Sequence, residues 1–133
     1  MSTKRTDRAP LNILIVEDNR DARTTMRMLL TMVHGHTVYE APDGATGVRS
    51  ALELKPDVAL IDLGLPDLDG CEVARRIRAG IDGHAITLIA LTGYDTAEDR
   101  RLAREAGFDV HLVKPVESAE LTRICEEVTR ARS

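Results

Sequence analysis

The chain has 133 residues, 43% of them hydrophobic and 30% charged, with a formal net charge of −4. That length fits one domain able to bury roughly two thirds of its unfolded surface, and the acidic balance leaves no broad basic face for nucleic acid. No stretch is long and apolar enough to span a bilayer, and the polar N-terminus lacks a signal-peptide core, so a cytoplasmic protein is expected.

Residues 1–10, with Lys4, Arg5 and Arg8, read as a loosely ordered tail. Leu11–Val16 is an apolar run, read as a buried strand, and it ends in Glu17-Asp18. Asn19 or Asp21 can cap a helix whose Ala22, Met26, Leu29, Leu30 and Val33 recur at helical spacing. Met28 and Met32 read as core or boundary residues of that helix, and Gly35 ends it. His36–Glu40 alternates like an edge strand. Asp43 begins a weaker helix through Leu54 with Val48, Ala51 and Leu52 inward, and Pro56 stops it. Asp57–Ile61 is the next strand, and Asp62 opens the loop Leu63-Gly64-Leu65-Pro66-Asp67-Leu68-Asp69-Gly70.

The alternation repeats in the second half. Asp69-Gly70 starts a helix with Val73, Ala74 and Ile77 on one face. Ala85–Leu91 is strand-like and leads to Thr92. Thr96 or Asp95 caps a helix bearing Leu102, Ala103 and Ala106, which Gly107 terminates. Asp109–Val113 is a fifth strand, followed by Lys114-Pro115. A last helix from about Glu117 carries Leu121, Ile124, Cys125 and Val128 at i, i+3, i+4, i+7. Cys71 and Cys125 lack metal or redox spacing and read as reduced core or boundary residues. His34, His36 and His84 read as solvated rather than as metal ligands.

Five strands alternating with five helices predict an α/β fold, a doubly wound five-stranded parallel sheet. The expected order is 2-1-3-4-5, with a site at the carboxyl ends beside the switch between strands 1 and 3. That geometry brings Glu17, Asp18 and Asp62 together, with Thr92 and Lys114 at neighbouring strand ends. Three such carboxylates repel, so the cluster must raise a pKa, stay wet or bind a cation. An all-oxygen site suits Mg²⁺. Magnesium beside a lysine is equipment for phosphoryl transfer, in which an aspartate can be the nucleophile.

With these residues in this order, the chain resembles the receiver domains of two-component response regulators, the CheY-like family, over about residues 11–130. The matching positions are Glu17-Asp18, Asp62 with Pro66 and Asp69-Gly70, Thr92-Gly93 and Lys114-Pro115. The resemblance implies that Asp62 accepts a phosphoryl group from a phosphohistidine on a histidine kinase or phosphotransfer protein. It implies Mg²⁺ held by Glu17, Asp18, Asp62 and the Gly64 main-chain carbonyl. Thr92 and Lys114 would meet phosphoryl oxygens, and the Lys114–Pro115 bond would be cis. Phosphorylation would then bias a two-state element whose output is the surface of helix 4, strand 5 and helix 5. The chain would catalyse only its own phosphorylation and dephosphorylation.

Three positions tune or depart from the family pattern. The family usually has Tyr or Phe three residues before the lysine, where this chain has His111. It is either a half-exposed strand residue or a smaller, polar switch, histidine being the side chain whose charge changes near neutral pH. Gly64 and Tyr94, each two positions after Asp62 and Thr92, would flank the phosphoryl group, with Tyr94 shielding it from water. The charged residues of helices 4 and 5 (Arg100, Arg101, Arg104, Glu117, Glu120, Arg123 and Glu126) read as a solvated face, with homodimerisation there left open.

Rival functions meet specific obstacles. A flavin carrier of this fold class needs a phosphate in the first loop, which Glu17-Asp18 would repel. A haloacid dehalogenase-type hydrolase wants an acid where Gly64 stands. A pseudo-receiver interaction module usually lacks one of the acids, the acceptor or the lysine, all present here. With Ser133 just past the last helix, no DNA-binding or enzymatic output domain is expected. The chain would be a stand-alone receiver or the receiver portion of a hybrid kinase.

Overall fold

The computed structural model describes residues 10–33, 35–80 and 86–132. The expected tail, apart from Pro10, lies outside the described residues, as do His34 and His84. In chain order the elements are β1 (Asn12–Val16), α1 (Arg20–Met28, continued by a π-helical turn at Leu29–Val33), β2 (Thr37–Ala41), α2 (Gly44–Leu54) and β3 (Val58–Asp62). They continue as α3 (Gly70–Gly80), β4 (Thr87–Thr92), α4 (Ala97–Ala106), β5 (Val110–Val113) and α5 (Ser118–Arg132). All strands pair in parallel in the order β2-β1-β3-β4-β5, as expected.

Side chains alternate across each strand, so each inner strand feeds two cores. Leu14, Val16, Ala59, Ile61, Leu88 and Ala90 pack with Ala51, Val73, Ala74, Ile77, Ala103 and Ala106 of α2, α3 and α4. Ile13, Ile15, Leu60, Ile89, Leu91 and Leu112 pack with Met26, Leu30, Leu121, Ile124 and Cys125 of α1 and α5. Covering both faces explains why the strands read as apolar runs rather than alternating ones. The two edge strands, β2 and β5, show mixed burial.

Local chemistry sets the helix ends. Asn19, rather than Asp21, caps α1 by accepting the Ala22 N–H at 2.9 Å. Asp43 caps α2 through the Thr46 N–H at 2.8 Å. Thr96, rather than Asp95, caps α4 through the Asp99 N–H at 3.0 Å. Gly107 ends α4 at φ +114°, a left-handed conformation that glycine adopts without strain.

Several sequence expectations need correction. The buried line of α2 is Gly44, Gly47 and Ala51, with Val48 only packed against it. Glycines carry no hydrophobic signal, yet a Cβ at Gly47 would lie 2.8 Å from the Val16 methyls, so close helix–sheet contact needs the missing side chain. Leu102 is exposed, because the inward face of α4 is the Ala103–Ala106 pair. Met26 is buried, but Met28 and Met32 are exposed. His36 is not simply solvated, since its Nδ1 accepts the Leu11 N–H at 3.1 Å.

Candidate functional site

Parallel pairing aligns the carboxyl ends of β1 and β3, with Val16 beside Ile61. The next residues, Glu17 and Asp62, therefore leave the sheet side by side. Glu17 is anchored on its other flank, where its N–H donates to the Ala41 carbonyl at 3.1 Å. Beyond β4, the Lys114 N–H donates to the Thr92 carbonyl at 2.8 Å, which carries the lysine onto the same edge.

The acids and the lysine converge as expected. Carboxylate oxygens of Glu17, Asp18 and Asp62 lie within 4.8 Å of one another. Glu17 is buried and Asp62 is 7% exposed, while Asp18 faces solvent. The Lys114 ammonium sits 3.1 Å from Glu17 Oε1 and 3.2 Å from Asp62 Oδ2. Glu17 Oε2 accepts the Asn19 N–H at 3.0 Å, and Asp62 Oδ1 accepts the Gly64 N–H at 3.0 Å.

These contacts set the electrostatics. Burial, aided by the nearby Asp62 charge, pushes the Glu17 carboxyl up despite the Asn19 N–H and Lys114. For Lys114, burial pulls the ammonium down. The hydrogen bond to Glu17 and the attraction of Asp62 and Glu17 outweigh it, and the net shift is upward. The lysine thus stays charged, but one ammonium against three carboxylates leaves excess negative charge.

That excess fits a divalent cation. Opposite ligands of an octahedral Mg²⁺ lie about 4 Å apart, comparable with the spread of this all-oxygen donor set. Glu17, Asp18 and Asp62 can hold such an ion. Gly64 enters the observed site through its N–H, which orients the Asp62 carboxylate.

Thr92 is 6% exposed, and its Oγ1 accepts the Tyr94 N–H at 3.1 Å. Tyr94 itself is 75% exposed. A Cβ on Gly64 would sit 3.8 Å from Asp62 Oδ1, an ordinary contact, so the flank of Asp62 is open there. The Lys114–Pro115 bond is cis.

His111 is not half-exposed. It faces α4 from β5 with its side chain 12% exposed, in a cleft of about 310 Å³ that Arg100, Ala103 and Phe108 also line. Neither ring nitrogen has a hydrogen-bond partner among the described residues, and Nδ1 lies 3.9 Å from Asp95 Oδ1. Asp95 in turn is gripped by the Arg100 guanidinium, with Nη2 to Oδ2 at 2.8 Å.

Two supporting residues escaped the sequence reading. Arg23 of α1 donates to the main-chain carbonyls of Glu17 and Asp18. Asp67 of the β3–α3 loop accepts the Gly44 and Ala45 N–H groups at 2.8 and 3.0 Å, tying that loop to the start of α2 and holding its own carboxyl below the usual range. Both act on main-chain groups, Arg23 on carbonyls five and six residues back and Asp67 on N–H groups more than twenty residues away, which periodicity does not report.

Comparison with known proteins agrees with this geometry. The family model described as "Response regulator receiver domain" matches residues 13–126. An uncharacterized 14.6 kDa protein from the sodA1 3′ region of Leptolyngbya boryana is 34% identical over 119 residues, 90% of each chain. Response regulator MprA of Mycobacterium sp. (strain KMS) is 34% identical over 112 residues, covering 84% of this chain and 47% of that protein. The chain thus spans about half the length of the named response regulators it matches. Among solved structures, the receiver domain of sensor histidine kinase PA1611 from Pseudomonas aeruginosa PAO1 matches at TM-score 0.81 and 37% identity, covering 91% of this chain and 98% of that one. That structure has a magnesium ion coordinated in its active site cleft. With the family model covering most of its length, the chain belongs to the response regulator receiver domain family of two-component systems.

Proposed function

We propose that residues 11–130 form a receiver in which Asp62 accepts a phosphoryl group from the phosphohistidine of a histidine kinase or phosphotransfer protein. The observation that carries this reading is the pairing of Lys114 with both Glu17 and Asp62, at 3.1 and 3.2 Å, inside a three-carboxylate cluster. An Asp62 carboxylate oxygen attacks phosphorus as the P–N bond breaks, and the leaving imidazole nitrogen takes up a proton from solvent. Glu17, Asp18, Asp62 and the Gly64 main-chain carbonyl would hold Mg²⁺, whose charge offsets that of the phosphoryl oxygens. The Gly64 N–H orients the carboxylate for attack. Lys114 then turns toward one phosphoryl oxygen and the Thr92 hydroxyl toward another.

Phosphorylation adds about −1.5 to −2 charges and three acceptor oxygens at Asp62. Thr92 and Lys114 can answer only if their loops move inward, which biases a two-state equilibrium. His111, lying beneath α4, is the proposed relay to the α4–β5–α5 surface. That surface would take a downstream protein or a second copy of the chain. The likeness to the PA1611 receiver supports a second context, in which this receiver serves a hybrid sensor kinase.

The test is Mg²⁺-dependent labelling by acetyl phosphate or a phosphorylated kinase, repeated on Asp62→Asn. The substitution is expected to abolish the label. Undiminished label in the variant overturns the assigned acceptor.

A further inference from the structure

The acidic pair sits on a segment whose main-chain carbonyls and Glu17 N–H are held by groups outside the carboxylate cluster. The Glu17 N–H goes to Ala41 of β2, and the Glu17 carboxylate goes to Asn19 and Lys114. The two carbonyls are held by one side chain. Arg23 Nη1 lies 2.8 Å from the Glu17 carbonyl and 3.4 Å from that of Asp18. Its Nε donates to Glu40 Oε1 at 3.1 Å, and Arg27 holds the other Glu40 oxygen at 2.9 Å. The Arg23 side chain is only 16% exposed.

We infer that Arg23 is a positioning residue that fixes the Glu17–Asp18 peptide so that both carboxylates stay turned toward Asp62. A guanidinium suits this task because its planar fork can serve a carbonyl with one nitrogen and a carboxylate with another. Glu40, at the end of β2, sets the angle of the fork and so ties an edge strand to the acidic pair. The consequence is a cation site organised before the ion arrives. Loss of the fork leaves all three carboxylates in place but frees the peptide that aims two of them. This role rests on the proposed Mg²⁺ site and names a residue that tunes it.

The experiment titrates Mg²⁺ alone into the full chain by calorimetry, with thermal midpoints measured in chelator alongside. Arg23→Ala is expected to weaken Mg²⁺ binding by about tenfold, as loss of an outer-shell partner does elsewhere. Arg23→Lys keeps the charge but not the fork and is expected to recover part of the affinity. Glu40→Gln is expected to weaken it less than Arg23→Ala. Affinities of Arg23→Ala and Arg23→Lys equal to that of the unaltered chain overturn the inference, and Arg23→Lys alone decides if the alanine variant does not fold. A loss of affinity that only tracks a lowered midpoint, without recovery in lysine, overturns it as well. An unaltered chain that binds no Mg²⁺, or binds it as well after Asp18→Asn, overturns the metal site itself.

Discussion

Tyr94 and Thr92 are linked by a backbone contact that leaves the tyrosine ring free. The Tyr94 N–H donates to the Thr92 hydroxyl, while the side chain stands 75% exposed. If Thr92 turns toward a phosphoryl group on Asp62, as proposed, the segment carrying Tyr94 moves with it and brings the ring over Asp62, whose other flank is bare at Gly64. Tyr94→Ala is therefore expected to shorten the phospho-Asp62 lifetime, followed as decay of the labelled protein after donor removal. An unchanged or longer lifetime would sink the shielding role. The same scale holds the main surprise, His111. Strand pattern alone allowed a half-exposed residue there, but the register with Ala90 turns it toward α4 and hides both ring nitrogens.

Among the elements, the β3–α3 connection carries the most constraint. Asp69 Oδ1 accepts the Cys71 N–H at 2.7 Å, so α3 starts with a side-chain cap. Gly70 follows for a different reason. A Cβ there would lie 2.7 Å from the Leu63 Cα and 2.8 Å from the Asp62 carbonyl oxygen. These are backbone atoms of the Asp62 segment and cannot step aside as a flexible side chain would. Gly70→Ala is expected to cost about 1–3 kcal/mol by overpacking, measured by denaturant unfolding. It should also slow the proposed labelling of Asp62, because relief of the clash displaces the Asp62 backbone. Wild-type stability and labelling would show that the loop has slack the geometry denies.

At the scale of the whole molecule, the sheet joins two apolar layers, and α5 contributes Cys125 to one of them. Burial pushes its thiol from the ordinary 9.0 up to about 11, with the Glu126 charge adding to the effect. The folded chain thus holds this proton more tightly than the unfolded chain. Stability from the group is complete below about pH 9 and falls as pH rises toward about 11, where unfolding releases the proton. The decline is worth about 2–3 kcal/mol at most. Cys125→Ala should be less stable at neutral pH, through the lost packing, yet show a flatter decline across that window in denaturation at stepped pH. Parallel curves for the two proteins would contradict the shift. The same burial predicts a Cys125 thiol that resists alkylation until the fold opens.

Strand–helix alternation, the Asp43 cap, Asn19 and Thr96 as one of two cap candidates each, and the set Glu17, Asp18, Asp62, Thr92 and Lys114 at the strand ends were legible in the chain. Apolar runs, cap chemistry and the residues closing each run are local signals, and right-handed crossovers leave few ways to arrange five such units. What needed tertiary structure were the residues acting through main-chain groups or empty space. Arg23 reaches the Glu17 and Asp18 carbonyls, Asp67 ties its loop to α2, and Gly47 and Gly70 let neighbours approach where a Cβ would collide. The exposure of Leu102 and the buried ring nitrogens of His111 belong with them. Sequence alone determined which groups meet at the sheet edge, because parallel strands bring their carboxyl ends together. Only the fold decided how those groups are held, because a donor's partner across space leaves no period in the chain.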